Sequence, residues 1–247
     1  MPHRRRDILI LLALLAALSA LFLSAGNAID IGVARLFGNA SGFPLGDDVG
    51  LELLREINHW IVVGTIAACF GAMLHKLVWP AHRMRLRPRA IAFLLLTLIV
   101  GPGLLANTVL KDQWGRPRPN DTVVFGGMAP YVPPWVITDH CDDNCSFVSG
   151  EGASAMWTVA PALLAPLPER PFVVAGAVAW GLVMGLVRIA MGGHFLSDTL
   201  IGAVLMLIVI GVFRKGLWRL ISPERDQALE AAIGRAGDRL RAAARRR

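Results

Sequence analysis

Charge is scarce in this chain. Asp, Glu, Lys and Arg make up 17% of its 247 residues, where a soluble domain carries about 25%. Hydrophobic residues reach 55% and the mean hydropathy is +0.54, which places the chain in the membrane class. Strict polar–apolar alternation is lacking as well, and that excludes a transmembrane β-barrel. No internal repeat or low-complexity tract is present. Cysteine is rare, with three in all. Cys69 falls inside an apolar run, as packing. Cys141 and Cys145, spaced CDDNC, lack two further ligands for a metal and suit a small disulfide-closed loop in an oxidising compartment.

What the sequence does hold is apolar runs. Six can be read: from Ile8 through ILILLALLAALSALFLSAG, about Ile57 to Trp79, Ala90 to Leu110, a short one from roughly Gly152 to Leu167, Phe172 to Val187, and Thr199 to Trp218. Backbone groups in lipid must be satisfied within their own helix, so these predict an all-α, six-helix membrane bundle. The first run could instead be a signal peptide, since Ser24, Ala25 and Gly26 follow it. It exceeds the roughly 7–15 apolar residues of such a segment, which favours a retained anchor.

Basic residues orient the bundle. Of the 25 lysines and arginines, 19 fall at the N-terminus, between the second and third runs, at Arg170, or after the sixth. The positive-inside rule makes that side cytoplasmic, with both termini inside. The net charge of +7 then reflects topology and attraction to anionic lipid head groups, and nucleic acid is the weaker reading. Residues 1–221 form the membrane domain and 222–247 a basic tail helix. Within that tail Leu229, Ile233 and Leu240 fall near one face and its arginines can meet lipid phosphates. On the outer side, LGDDVGLELLREIN suits a short amphipathic helix at the interface, and residues 111–148 form a loop rich in Pro, Asp and Gly.

Only six basic residues remain outside: Arg35, Arg55, Lys111, Arg116, Arg118 and Arg188. Ionisable groups at membrane depth are costly, so they default to function. KDQWGRPRP sets Lys111, Arg116 and Arg118 on a proline-stiffened turn, which suits a phosphate or, equally, an interfacial anchor. In FVSGEGAS a helix starting near Ser149 would aim the N–H groups of Gly150, Glu151 and Gly152 outward as an anion site. Plain capping by Ser149 and Glu151 is the simpler alternative. In RIAMGGHFLSD, His194 and Asp198 stand at i and i+4 and share a helical face. A carboxylate on one imidazole nitrogen leaves the other as base or nucleophile, and Arg188 adds a cation.

Together Lys111-x6-Arg118-Pro119, Ser149-Gly150 and Arg188-x5-His194-x3-Asp198 resemble the three-part signature of the type 2 phosphatidic acid phosphatase superfamily. That superfamily includes lipid phosphate phosphatases, bacterial acid phosphatases and vanadium haloperoxidases. The resemblance implies the shared PAP2/vanadium haloperoxidase-like helical core with an outward-facing site. It makes His194 a nucleophile forming phosphohistidine, with Asp198 orienting it. Lys111, Arg118, Arg188, Ser149 and Gly150 would hold the phosphoryl oxygens. It implies no metal and no cofactor.

One position departs from the family. Where the signature has Pro-Ser-Gly-His, this chain has Val148-Ser149-Gly150-Glu151. Glu151 can act as the general acid if apolar surroundings raise its pKa, although nearby cations oppose that. His140 is a substitute donor. The expectation is a multi-pass inner-membrane phosphatase that acts on a lipid phosphate or diphosphate at the periplasmic or extracellular side. The alternatives are a phosphotransferase using the same phosphohistidine and a phospholipid-binding protein that has lost the acid.

Overall fold

The computed structural model describes residues 3–244, with side chains from residue 6 onward. The side chains of Arg4 and Arg5, and Arg245 to Arg247, lie outside it. Among the described residues no β-strand forms. Eight α-helices follow in chain order: α1 (His3–Ala34), α2 (Val49–Val78), α3 (Pro88–Leu98), α4 (Gly150–Trp157), α5 (Val159–Ala162), α6 (Arg170–Ala190), α7 (Leu196–Leu220) and α8 (Pro223–Ala244).

Among the described residues, five helical segments are long and apolar enough to cross a bilayer: α1, α2, α3 with its continuation, α6 and α7. A helix rises about 1.5 Å per residue, so about 20 residues span the hydrocarbon. α3 continues without a break into wider, π-helical turns from Ile99 to Lys111. Pro102 lies within them and has no N–H to donate. Side chains match the wider pitch: Asn107 Nδ2 donates to Pro102 O at 2.7 Å and Thr108 Oγ1 to Gly103 O at 3.3 Å, each five residues back.

The short fourth run does not form one spanning helix. α4 and α5 divide it at Thr158, where Pro161 has no N–H to give the Trp157 carbonyl, and Pro166 and Pro168 stop the helix from continuing past α5. The pieces still cover much of the depth of the bundle. Gly202 of α7 faces Val148 and Ser149 at one end, while Arg214 of α7 donates to Leu163 O at 3.4 Å near the other. α4 is almost wholly buried against α6, α7 and the π-helical turns. Its Trp157 donates to Thr97 Oγ1 at 2.9 Å, within a core that includes Phe93, Met156, Met206 and Ile210. A buried indole N–H requires such a partner.

LGDDVGLELLREIN is not a separate interfacial helix. Nothing interrupts helix formation after Val49, and Asp48 caps α2 by accepting from Leu51 N at 2.9 Å. Glu52, Arg55 and Glu56 therefore sit on the first turns of a spanning helix. The tail helix α8 is docked against α2, α3 and the loop between them. Asp226 accepts from Arg89 N, and Glu230 from Met84 N, both at 2.8 Å. Lys76 lies 3.6 Å from Glu230, Ile233 packs on the core, and Gly237 lies flush against the Leu77 carbonyl. Leu229 and Leu240 stay exposed.

Candidate active site

Seven segments of the chain meet at one end of the bundle. The α6–α7 turn is tight: Gly192 adopts φ +70°, which side chains resist, and a Cβ on Gly193 would stand 2.4 Å from Arg188 Nη2. These glycines let His194 fold back under Arg188, and the imidazole is almost fully buried. His194 Nδ1 lies 2.7 Å from Ser146 O. A carbonyl only accepts, so Nδ1 carries the proton and Nε2 keeps its lone pair. Burial, followed by the charges of Arg188, Arg118 and Lys111, pushes His194 well below the usual histidine range. The imidazole is therefore neutral at physiological pH.

Asp198 does not bond the imidazole directly, because its Oδ2 is 3.9 Å from Nδ1. It accepts from Ser146 Oγ at 2.6 Å and from Phe195 N at 2.8 Å. Ser146 thus links carboxylate to imidazole, hydroxyl on one side and carbonyl on the other. On its other oxygen Asp198 accepts from Arg116.

Arg116 is fully buried and forms the hub beneath His194. It donates to Asp30 Oδ2 at 2.9 Å, Ser197 Oγ at 2.8 Å and Val132 O at 2.7 Å. Asp30, from α1, also accepts from Ser197 N at 2.9 Å, Ser197 Oγ at 2.6 Å and Tyr131 OH at 2.9 Å. Burial, then the Asp30 charge, pushes the Tyr131 phenol up, so it stays a donor. Two carboxylates around one guanidinium, with their remaining lone pairs occupied, meet the condition for burying charge. The sequence set Arg116 beside Lys111 and Arg118 as a cation for a phosphate or an interfacial anchor, whereas it is buried and committed to Asp30 and Asp198. The sequence motifs include neither Asp30 nor Ser146 as parts of the site. An aspartate inside an otherwise apolar helix was the available signal for Asp30.

Ser149 caps α4, its Oγ accepting from Gly152 N at 3.1 Å while its own N–H donates to Asp198 O at 3.3 Å. A Cβ on Gly150 would meet Asn107 Oδ1 at 2.5 Å, so a larger residue there would have to displace the Asn107 amide. Arg118 donates through Nε to Asn144 O at 2.9 Å. Asn144 lies in the loop closed by the Cys141–Cys145 disulfide. Lys111 ends the π-helical turns and, with Arg118 and Arg188, contributes to the positive field on His194.

Glu151 is gripped in a fork by Arg55, Nε to Oε2 at 2.8 Å and Nη2 to Oε1 at 2.6 Å. Arg188 Nε lies 3.2 Å from the same Oε2. Burial works to raise the Glu151 pKa, but the Arg55 hydrogen bonds and the charges of Arg188, Arg55 and Lys111 outweigh it and hold the group below the ordinary carboxylate value. Glu151 is thus an ionised carboxylate, which argues against its service as the proton donor. His140, the substitute donor, is exposed 3.8 Å from Asp139.

The assembled site offers one unprotonated imidazole nitrogen within a field of three cations, beside a helix N-terminus. That combination suits attack on phosphorus, with the cations taking up the charge of the phosphoryl oxygens.

Residues 89–222 match the family model described as the PAP2 superfamily. Three bacterial proteins described as lipid A 4'-phosphatases resemble the chain. The one from Rhizobium leguminosarum is 34% identical over 213 residues, covering 78% of this chain and 88% of the relative. That from Rhizobium etli is 36% identical over 175 residues, 68% of this chain and 66% of the relative. A third, from Francisella tularensis subsp. novicida, is 41% identical over 121 residues, 49% of this chain and 54% of the relative. No solved structure matches. The family model covers all three motif segments and the π-helical turns that carry Lys111, and by that match and these relatives the chain belongs to the PAP2 superfamily.

Proposed function

We propose that this membrane phosphatase removes a phosphate monoester from a lipid through a phosphohistidine at His194, on the outer face of the inner membrane. The observation that carries the reading is the Nδ1–H···O bond from His194 to Ser146. It fixes the tautomer and leaves Nε2 as the nucleophile among Arg188, Arg118 and Lys111.

In the first step the Nε2 lone pair attacks phosphorus. The P–O ester bond breaks, and its electron pair leaves with the lipid alkoxide, which takes a proton from water at the membrane surface. The imidazolium-like charge on phosphohistidine is balanced by Asp198 through Ser146. In the second step water attacks phosphorus, the P–N bond breaks, and inorganic phosphate departs as the neutral imidazole returns. Lys111, Arg118, Arg188 and the Gly150 N–H hold the phosphoryl oxygens, and Glu151 orients Arg188. The relatives described as lipid A 4'-phosphatases support a lipid A-type phosphate as substrate. The basic residues of the loops and tail support this sidedness by the positive-inside rule. The exposed arginines of α8, Arg235 and Arg239 among them, would meet anionic head groups on the inner side.

The test is phosphate release by purified protein in detergent micelles, with lipid A and phosphatidate offered separately. Wild type releases phosphate and traps acid-labile radiolabel on quenching, whereas His194→Ala does neither. Label passing to an acceptor lipid instead of to water would identify a transferase.

A further inference from the structure

At the end of the bundle away from His194, a cavity of about 270 Å³ opens between α1, α5 and α7. Asp7, Ile8 and Leu11 line it from the first turns of α1, Leu163 from the end of α5, and Gly211, Arg214 and Lys215 from the last turns of α7. Packed interiors hold few voids larger than one water, whose share of the liquid is about 30 Å³. The cavity is therefore room for a ligand and not a packing gap. We propose that it binds one anionic phospholipid, with the phosphate on Arg214 and Lys215 and an acyl chain along Ile8, Leu11, Leu163 and Gly211. The site lies outside the three motifs, and the proposal stands or falls apart from the phosphatase reading.

Depth comes first. Arg214 and Lys215 fall within the last two turns of α7, and Asp7 within the first two of α1. Ends of spanning helices meet the head-group layer, so these cations lie level with lipid phosphates. Both are half-buried between helices, unlike the exposed Arg235 and Arg239 of α8. Arg214 is held at the α5–α7 junction, where its Nη1 donates to Leu163 O at 3.4 Å and its guanidinium stands 5.8 Å from the Trp218 ring centre.

The lining then selects the occupant. Ile8, Leu11 and Leu163 offer only apolar surface, and Gly211 has no side chain to close the gap. Only 6% of the most apolar stretch of α1 is buried within the protein, so a lipid chain reaches the cavity along that helix. Two cations against Asp7 leave the mouth net positive. A zwitterionic head group brings a cation that Arg214 and Lys215 repel, whereas an anionic one brings the phosphate alone. Free phosphate would leave the apolar wall unfilled, and a peptide would carry unpaired backbone groups into the hydrocarbon. The cytoplasmic leaflet is the one rich in anionic lipid. A lipid seated here touches α1 and α7 at their inner ends, while Asp30 on Ser197 ties the same two helices at their outer ends.

The test titrates purified full-length protein, in uncharged maltoside micelles, with phosphatidylglycerol or phosphatidylcholine while its thermal melt is followed. Inorganic phosphate in excess occupies the cations around His194 throughout. Wild type is expected to melt higher with phosphatidylglycerol, by a rise that saturates. Arg214→Gln combined with Lys215→Gln should weaken the apparent affinity about tenfold or more, the scale of two head-group cations. Gly211→Leu, which fills the cavity and keeps both charges, should do the same, and it carries the test if the double variant does not fold. Arg235→Gln combined with Arg239→Gln, on the exposed face of α8, should leave the affinity unchanged. An equal response of wild type to the two lipids overturns the site. So does a phosphatidylglycerol preference that survives in the cavity variants, or one that is lost in the α8 variant.

Discussion

Glu151 stands where the family signature has histidine, and its partners decide what it can do. A carboxylate in a two-pronged bond to Arg55, with Arg188 3.2 Å away, is a holder of cations. Glu151→Gln keeps the shape and loses the charge, so Arg188 slackens. We expect kcat/KM to fall about 10- to 100-fold, the scale of one charged contact. The alkaline limb of the pH–rate profile should stay where it is in wild type. A proton donor would behave otherwise, with that limb abolished along with the activity. Asp30 acts one step further back. In Asp30→Asn the Arg116 hub loses half its counter-charge, and Asp198 is pulled off Ser146. A drop in kcat of at least about tenfold with little change in KM is the expected result, since binding cations are untouched. A rise in KM at constant kcat would contradict this. The signature residues were legible because each sits at a fixed spacing in one segment. Asp30, Arg55 and Ser146 were not, because their roles exist only across segments, through partners 86, 96 and 52 residues away.

At the scale of elements, the sequence resolved apolar runs well and their breaks less well. α4 and α5 read as one span because hydropathy averages over Pro161, whereas backbone donors are lost one residue at a time. α8 read as a solvated or membrane-surface helix because its arginines dominate its composition. Its docking depends on a narrow face of Asp226, Glu230, Ile233 and Gly237, spaced by three and four. Asp226 is 1% exposed, and removing one partner of a buried charged contact costs about 3–5 kcal/mol. Asp226→Ala should therefore free α8, seen as faster proteolysis after Ser222 and a lower melting temperature in detergent. On the opposite face of the bundle, the disulfide loop steadies Arg118 through Asn144 O. Reduction, or Cys141→Ser, should raise KM several-fold and leave kcat nearly unchanged, as measured by steady-state phosphate release.

For the whole molecule, His194 couples the site to acid stability. Its folded pKa lies well below the ordinary value near 6.5. Below about pH 6.5 the unfolded chain takes up a proton that the folded imidazole refuses, so stability falls as pH falls. Thermal melts of wild type between pH 7 and 5 should show that slope, and His194→Gln should flatten it. Under the proposed mechanism the same shift keeps the attacking imidazole neutral, so the acid limb of kcat/KM should lie below pH 6.5. The buried ion network bears on how the protein is made. Asp30 lies on α1, whereas its partner Arg116 follows α3 and its partner Ser197 comes only with α7, so the network closes late in synthesis. A chain caught midway through insertion thus carries in α1 an acid still missing Ser197, and the wiring beneath His194 is complete only when α1 has closed onto α7.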